Sequence, residues 1–209
     1  MGSMYESDPG RRLLPSVVDH WAAVDPKTPF CNLPNTITPQ DGFHPVSFGD
    51  ISHCTDFMCG WIEALVGRGD GETVAYLGVN DIRYLVVFLA CNKMGYKVCH
   101  NNTKRLSLTH LQVFLPSTRN SDEAHVHLLQ ATSPVAFLYT PEFRGKVQGL
   151  RVQYPKMNIF EIPSLDSMLA GEAQHYPYTK SFEEEEDQVS VVMHTSGTTG
   201  TPLEDHTIC

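Results

Sequence analysis

A chain of 209 residues is long enough for one domain with a sizeable core, or for part of a larger domain. Its 41% hydrophobic and 19% charged residues are values typical of globular proteins, and they exclude collagen and coiled coils. The 24 acidic residues outnumber the 15 basic ones, and the net charge of -9 disfavours nucleic acids and anionic membranes as partners. The longest strongly apolar run, 84–91, is too short to cross a bilayer, so we expect a cytoplasmic protein.

Six cysteines are scattered through the chain without a CxxC pair, and no signal peptide precedes them. This spacing argues against a zinc site and against a disulfide framework. His53, Cys54 and Cys59 are close enough in sequence to suggest a metal cluster, but free cysteines are usually buried. We therefore interpret Cys54 and Cys59 as two small apolar residues on a helix, and we predict no metal site.

The N-terminal elements are a short helix and a proline-rich stretch. Residues 1–12 are polar, and we expect them to be frayed. Apolar residues on one side of 14–24 predict a helix that ends at Asp25-Pro26. The proline-rich stretch 29–45 is expected to form an irregular strand or a loop.

A longer helix is predicted next. Ser47 and Asp50 have the Ser-x-x-Asp spacing of a capping box, in which both side chains bond free backbone N–H groups at a helix start. The residues after it recur at steps of three and four and predict an amphipathic helix. They are Ile51, Thr55, Met58, Ile62 and Leu65.

A glycine-rich turn, a strand and a capped helix follow. Glycines within 67–71 end the long helix, and the apolar run 73–79 has the length of a buried strand. Asn80 and Asp81 are expected to cap the next helix, 82–94. This order of elements is typical of an α/β layer with parallel strands and flanking helices.

The rest of the chain repeats this order. Residues 120–121 are expected to cap a helix at 122–131, which a strand at 135–139 follows. A third strand, 189–193, leads directly into a polar loop, after a connector rich in proline and acidic residues. Within that connector, the acidic run 183–187 suggests a metal site or a contact with a basic partner, but its carboxylates lack regular ligand spacing. We interpret the run as a solvated loop.

The polar loop after the third strand has the composition of an anion-binding site. It contains two glycines, which allow the backbone to approach a ligand closely, and four hydroxyl side chains. A Walker A loop requires a glycine, four further residues and then Gly-Lys-Ser/Thr, an order that this loop lacks. A P-loop NTPase is therefore disfavoured. The loop residues are Thr195, Ser196, Gly197, Thr198, Thr199 and Gly200.

This loop resembles the phosphate loop of the adenylate-forming (AMP-binding) superfamily, which includes acyl-CoA synthetases, luciferases and the adenylation domains of nonribosomal peptide synthetases. Other segments resemble the family in the same order, and Tyr96-Lys97, 116–121 and His194 look most like fungal synthetase-like carboxylic acid reductases. The resemblance implies an incomplete N-terminal subdomain of the adenylate-forming fold, with 13–209 as a partial adenylation domain. The matching segments are 13–30, 47–51, 69–75 and 82–98.

The resemblance also implies a chemistry. In the family, ATP with Mg²⁺ reacts with a carboxylic acid to give an acyl-adenylate, and Thr195 to Gly200 would bind the ATP phosphates. No catalytic residue can be carried over to this chain. Phosphopantetheine would belong to a downstream carrier domain of full-length relatives, outside this sequence.

Two departures from the family pattern limit the expected activity. Leu203 stands where the family usually has lysine, and Glu204-Asp205 follow it, which should weaken ATP binding. Residues 99–113 interrupt an otherwise continuous match, and we interpret them as a non-native insertion. We therefore expect a truncated, inactive adenylating enzyme that ends at Cys209 and pairs with the remaining adenylation-domain segments. The alternative is a non-catalytic remnant that binds a nucleotide or a partner.

Overall fold

The computed structural model describes residues 10–36, 38–96, 113–114, 129 and 133–186. Its helices are α1 (Leu14–Val24), α2 (Phe48–Val66), α3 (Ile82–Lys93), α4 (Arg144–Gln153), α5 (Leu165–Ala170) and α6 (Phe182–Glu185), with short 3-10 helices at Pro39–Asp41 and Pro141–Phe143. Its strands are β1 (Pro29–Pro34), β2 (Phe43–Ser47), β3 (Val74–Leu77), β4 (Val113–Phe114), β5 (Ala136–Tyr139) and β6 (Asn158–Glu161). Within these ranges, every helix is either too short or too polar for a membrane span.

Within the described residues, the central sheet has four parallel strands in the order β4-β3-β5-β6. β3 and β5 pair from Val74 opposite Ala136 to Leu77 opposite Tyr139. Every residue of both strands is buried, as expected for parallel strands that are covered on both faces. The predicted α/β fold is confirmed, and the strands predicted at 73–79 and 135–139 correspond to β3 and β5.

The two faces of the sheet carry separate hydrophobic cores. Val74 and Tyr76 of β3 pack with residues of α2 and α3 on one face. Ala75 and Leu77 pack with residues of α4 on the other face. Successive side chains of a strand point to opposite faces, so this alternation places helices on both sides of the sheet.

Side-chain caps begin the two longest helices, as the sequence predicts. The Ser47 hydroxyl accepts a hydrogen bond from the Asp50 backbone N–H at 3.1 Å, and the Asp50 carboxylate accepts one from the Ser47 N–H at 2.9 Å. α2 ends at Gly67, whose φ of 84° suits glycine. Asp81 caps α3 by accepting a hydrogen bond from the Arg83 N–H at 2.9 Å. The predicted capping box is therefore confirmed, and of Asn80 and Asp81 the cap is Asp81.

A third core lies under the N-terminal elements. The predicted helix at 14–24 is confirmed as α1. The stretch predicted to be an irregular strand or loop forms an antiparallel hairpin of β1 and β2, with one register shift between Pro29 and Cys31. Val18 of α1 and Val46 of β2 are buried here against α2 and α3. α1 and the hairpin therefore cover the outer side of the helical layer.

The acidic run differs from its predicted form. Residues 182–185 form helix α6 rather than a loop, because Ser181 and Glu184 make a second capping box. Glu183 is exposed and pairs with Arg11, while Glu185 pairs with Lys180 at 2.5 Å. These carboxylates therefore bond within the chain, and the Ser-x-x-Glu spacing was the sequence signal for the helix.

Candidate functional site

The predicted phosphate loop lies outside the described residues, as does the strand predicted at 189–193 that leads into it. The roles of Thr195, Ser196, Gly197, Thr198, Thr199 and Gly200 therefore stay predictions. The insertion predicted at 99–113 also lies outside the described part except for Val113, which is in β4. The described residues include the central sheet and the charged groups around it.

The carboxyl edge of the sheet has the topology of a ligand site. From β3 the chain continues to β4 on one side, and later returns to β5 and β6 on the other side. The helices that follow β3 and β5, α3 and α4, lie on opposite faces of the sheet. In open α/β sheets, ligands bind at the carboxyl ends of strands where the strand order reverses. The β3–β5 pair is that point in this sheet.

An arginine bridges the two loops at this point. Arg83 follows β3, and its guanidinium bonds the Asp81 carboxylate through Nη2 at 2.6 Å and Nε at 2.9 Å. The same Nη2 lies 3.3 Å from Oε1 of Glu142, which follows β5. The Arg83 side chain is only 11% exposed. The guanidinium therefore fixes the β3 and β5 loops relative to each other.

Glu142 is ionised more readily than an isolated glutamate. Partial burial alone would raise its pKa. Hydrogen bonding to its own backbone N–H and the positive charge of Arg83 outweigh this effect, and the pKa is lowered. Burial likewise opposes the charge of Arg83, but the bonds to Asp81 raise its pKa. Arg83 and Glu142 are therefore both charged at neutral pH.

A buried tyrosine lies beside this bridge. The hydroxyl of Tyr76 is buried and has no hydrogen-bond partner in the described part of the chain. It presses against Gly78, where an added Cβ would lie 2.1 Å from the hydroxyl oxygen. Burial, and then the negative charge of Asp81, raise the pKa of Tyr76. The hydroxyl therefore stays protonated and available as a hydrogen-bond donor.

The charges at this edge do not form a phosphate site by themselves. Arg144, at the start of α4, bonds both carboxylate oxygens of Glu161 at 2.6 and 2.8 Å, and this bond lowers the pKa of Glu161. Arg83 and Arg144 are thus both paired. Their partners are three carboxylates, those of Asp81, Glu142 and Glu161, which outnumber the two arginines. Any phosphate binding has to come from other groups, such as those of the predicted loop.

A second cluster of charges is buried between the helices. The Lys93 ammonium is fully buried and lies 2.6 Å from Asp19 of α1 and 2.8 Å from Asp56 of α2. Nδ1 of His175 contacts the other Asp56 oxygen at 3.0 Å. Asp19, Asp56 and His175 each place one ligand atom within 4.8 Å of the others, a spacing that a metal ion would accept. Because Lys93 already bonds both carboxylates, we interpret the cluster as an ion-pair network.

Sequence reasoning missed this network, although one signal was present. Lys93 follows Val86 by seven residues, which places it on the buried face of α3. A lysine at such a position requires a buried carboxylate partner. Its partners, however, are 37 and 74 residues away in sequence and could not be identified from spacing.

The histidine–cysteine group on α2 is structural, as predicted. Cys54 and Cys59 are buried in the core of the helical layer, and burial raises the pKa of the Cys54 thiol to about 12. His53 points elsewhere and bonds the carbonyl oxygen of Gly171 at 3.0 Å. The predicted burial of Cys54 and Cys59 on a helix is thus confirmed.

Comparison with known proteins identifies relatives in fungi. The chain is 31% identical over 200 residues to a carboxylic acid reductase of Neurospora crassa, an alignment that covers 92% of this chain and 17% of the reductase. It is 31% identical over 196 residues to an isocyanide synthase–NRPS hybrid of Aspergillus fumigatus, covering 92% of this chain and 12% of the hybrid. The chain thus spans less than a fifth of the length of either relative.

Solved structures share the fold. The inhibitor-bound N-terminal domain of FACL13 from Mycobacterium tuberculosis matches with a TM-score of 0.65 at 19% identity, over 90% of this chain and 42% of that one. An O-succinylbenzoate coenzyme A synthetase from Bacillus subtilis, in complex with AMP, matches with a TM-score of 0.61 at 18% identity, over 88% and 40%. The family model for AMP-binding enzymes matches residues 18–202. The chain therefore belongs to the AMP-binding enzyme family and is part of an adenylate-forming domain.

Proposed function

We propose that this chain supplies the phosphate-binding part of an adenylation domain that activates a carboxylic acid with ATP. The observation that carries the proposal is the family match through residue 202, which includes the whole polar loop. In physical terms, two glycines and four hydroxyl side chains offer close backbone approach and many hydrogen-bond donors, as phosphate oxygens require. The donor set of the loop therefore fits ATP phosphates.

The role of the loop is one of positioning and electrostatics. Bound ATP would transfer its adenylyl group to the carboxylate oxygen, with pyrophosphate as the leaving group, and Mg²⁺ would accompany the phosphates. The N–H groups and hydroxyls of 195–200 would orient the β- and γ-phosphates and disperse the charge of the leaving group. The loop supplies no nucleophile, since the attacking oxygen belongs to the carboxylic acid.

The residues after the loop reduce the expected affinity for ATP. Leu203 offers no charge to phosphates, and Glu204 and Asp205 add two negative charges. We propose that the 209 residues by themselves do not complete adenylation, because they span only 17% of the reductase relative. The remaining adenylation-domain segments, and a phosphopantetheine-bearing carrier domain, would come from outside this sequence.

A non-catalytic remnant that binds a nucleotide or a partner is the second candidate, and the acidic residues after the loop favour it. A cytoplasmic location is part of either proposal, and the net charge of -9 disfavours nucleic acids and anionic membranes as partners. Assays of adenylation with a panel of carboxylic acids, on the chain alone and mixed with the missing segments, separate the two candidates. Acyl-adenylate formation by the mixture supports the enzyme, and its absence supports the remnant.

ATP binding is tested directly by titrating the chain with ATP and Mg²⁺ in a calorimeter. We expect weak, saturable binding that Gly197→Val abolishes, because a side chain would hold the phosphates away from the backbone. Gly149→Val is the matched control, since nothing lies within 4 Å of the Cβ position of Gly149 on α4. Equal ATP binding by the two variants would contradict the proposed role of the loop.

A further inference from the structure

A groove lies between α2 and the segment 172–177, on the helical face of the sheet. Its cavity volume is about 460 Å³. Phe57, Gly60 and Trp61 line it from α2, and His175 and Tyr176 line it from the other side. The residues that line it differ from those described at the carboxyl edge of the sheet.

Three contacts hold the second wall of the groove in place. His53 bonds the carbonyl oxygen of Gly171, and His175 bonds Asp56, which Lys93 fixes in turn. At the far end the Arg68 guanidinium lies over the Tyr176 ring, 4.9 Å from its centre. A wall anchored at three points does not need to be ordered by a ligand, so the groove is preformed.

The floor of the groove is apolar and has an open position at its centre. Phe57 and Trp61 are partly buried and pack against the core. Gly60 lies between them, exposed, and no atom lies within 4 Å of the place where its Cβ would be. A glycine in a helix interior costs about 1 kcal/mol relative to alanine, and no neighbour in the described structure requires one here. The absent side chain leaves room for an atom group from outside.

The charged residues of the groove indicate the charge of its ligand. Asp56, Glu63 and Glu172 line it; Lys93 already compensates Asp56, which leaves two carboxylates opposite Arg68. Glu63 is paired with Arg68 at 2.7 Å, whereas Glu172 is exposed and forms no ion pair within the described ranges. The whole chain also carries a net charge of -9. An acidic rim around an apolar floor favours a partner with the opposite charge.

We propose that this groove binds a basic segment of a partner protein. An apolar side chain of that segment lies over Gly60, between Phe57 and Trp61. A lysine or arginine of the segment faces Glu172. Aromatic residues like those of the floor carry much of the binding energy in protein interfaces.

The test uses the 209-residue chain and a fluorescein-labelled peptide of alternating lysine and leucine, followed by fluorescence anisotropy. We expect saturable binding that Gly60→Leu weakens at least about tenfold, because leucine fills the groove. Gly149→Leu is the matched control, a second exposed glycine in a helix interior with open space around its Cβ position, and it should bind like the wild type. Circular dichroism verifies that both variants fold, as expected when leucine replaces glycine in a helix.

Charge-reversal variants and an acidic peptide complete the test. Glu172→Lys should weaken binding of the basic peptide about three- to fivefold, whereas Glu186→Lys, at the exposed end of α6, should not. A peptide of alternating glutamate and leucine should not bind. The proposal is overturned if the basic peptide shows no saturable binding, if Gly60→Leu binds it as well as Gly149→Leu, or if the acidic peptide binds equally.

Discussion

Replacing Lys93 by methionine tests the most demanding electrostatic feature of this fold. The side chains of Lys93, Asp56 and Asp19 are 0%, 7% and 17% exposed, and the ammonium lies within 2.8 Å of both carboxylates. Removing one partner of a buried ion pair costs about 3–5 kcal/mol, because the remaining charge is left uncompensated. Asp56 keeps its contact with His175, and Asp19 stays partly exposed to solvent. We therefore expect a loss at the lower end of this range, about 3 kcal/mol.

The change in stability is measured by urea unfolding followed by far-UV circular dichroism. With a slope of about 2–3 kcal/mol per molar urea, the midpoint of Lys93→Met should fall by roughly 1–1.5 M. Arg68→Met makes the same kind of change at an exposed pair, Arg68 with Glu63, and should leave the midpoint nearly unchanged.

A double variant separates loss of charge compensation from loss of packing. Asp56→Asn combined with Lys93→Met removes one of the two buried negative charges, so it should recover part of the stability that Lys93→Met loses. If Lys93→Met shifts the midpoint no more than Arg68→Met, or if the double variant is less stable than the single one, the reasoning from uncompensated charge is refuted.

Three further changes test the carboxyl edge of the sheet and the predicted loop. Gly78→Ala should destabilise the fold by about 1–3 kcal/mol in urea unfolding, because its Cβ would overlap the Tyr76 hydroxyl, and Tyr76→Phe in the same chain should recover part of the loss. The pKa of Glu142 is lowered in the fold, so its stabilising contribution is present above the ordinary value of 4.5 and is lost as the pH falls through the folded value. Glu142→Gln should therefore lose less stability than the wild type when the pH is lowered below 4.5 in urea unfolding. An equal loss in both proteins would count against the Arg83 bridge. Leu203→Lys should tighten ATP binding about fivefold in calorimetry, because it adds one positive charge near the phosphates in water. A similar gain with the uncharged Leu203→Gln would exclude this electrostatic explanation.

Features encoded by a few neighbouring residues could be predicted from the sequence. The capping box of Ser47 and Asp50 fixed the start of α2, and Asp81 fixed that of α3, because each side chain bonds a backbone N–H within three residues. The continuous apolar runs predicted β3 and β5, since strands buried on both faces need apolar residues throughout.

Elements with weak local patterns were missed. Within α4 only Val147 and Leu150 are buried, so its ten residues lack a repeated apolar spacing. β6 has four residues and a mixed burial pattern, typical of a strand that depends on its neighbour for pairing. The partners of Lys93 and of Arg83 were missed for another reason: the contacts to Asp56 and Glu142 join residues 37 and 59 positions apart.

The pairing of charges at the carboxyl edge bears on how this chain would hold a nucleotide. Arg83 and Arg144 are both committed to carboxylates, and releasing either to bind phosphate would leave Glu142 or Glu161 without its partner. Leu203 provides no replacement charge. The phosphates of ATP would therefore depend on Mg²⁺ and on the backbone N–H groups and hydroxyls of 195–200. Since backbone donors act only at close approach, the glycines of the loop should matter more for ATP binding than any single hydroxyl.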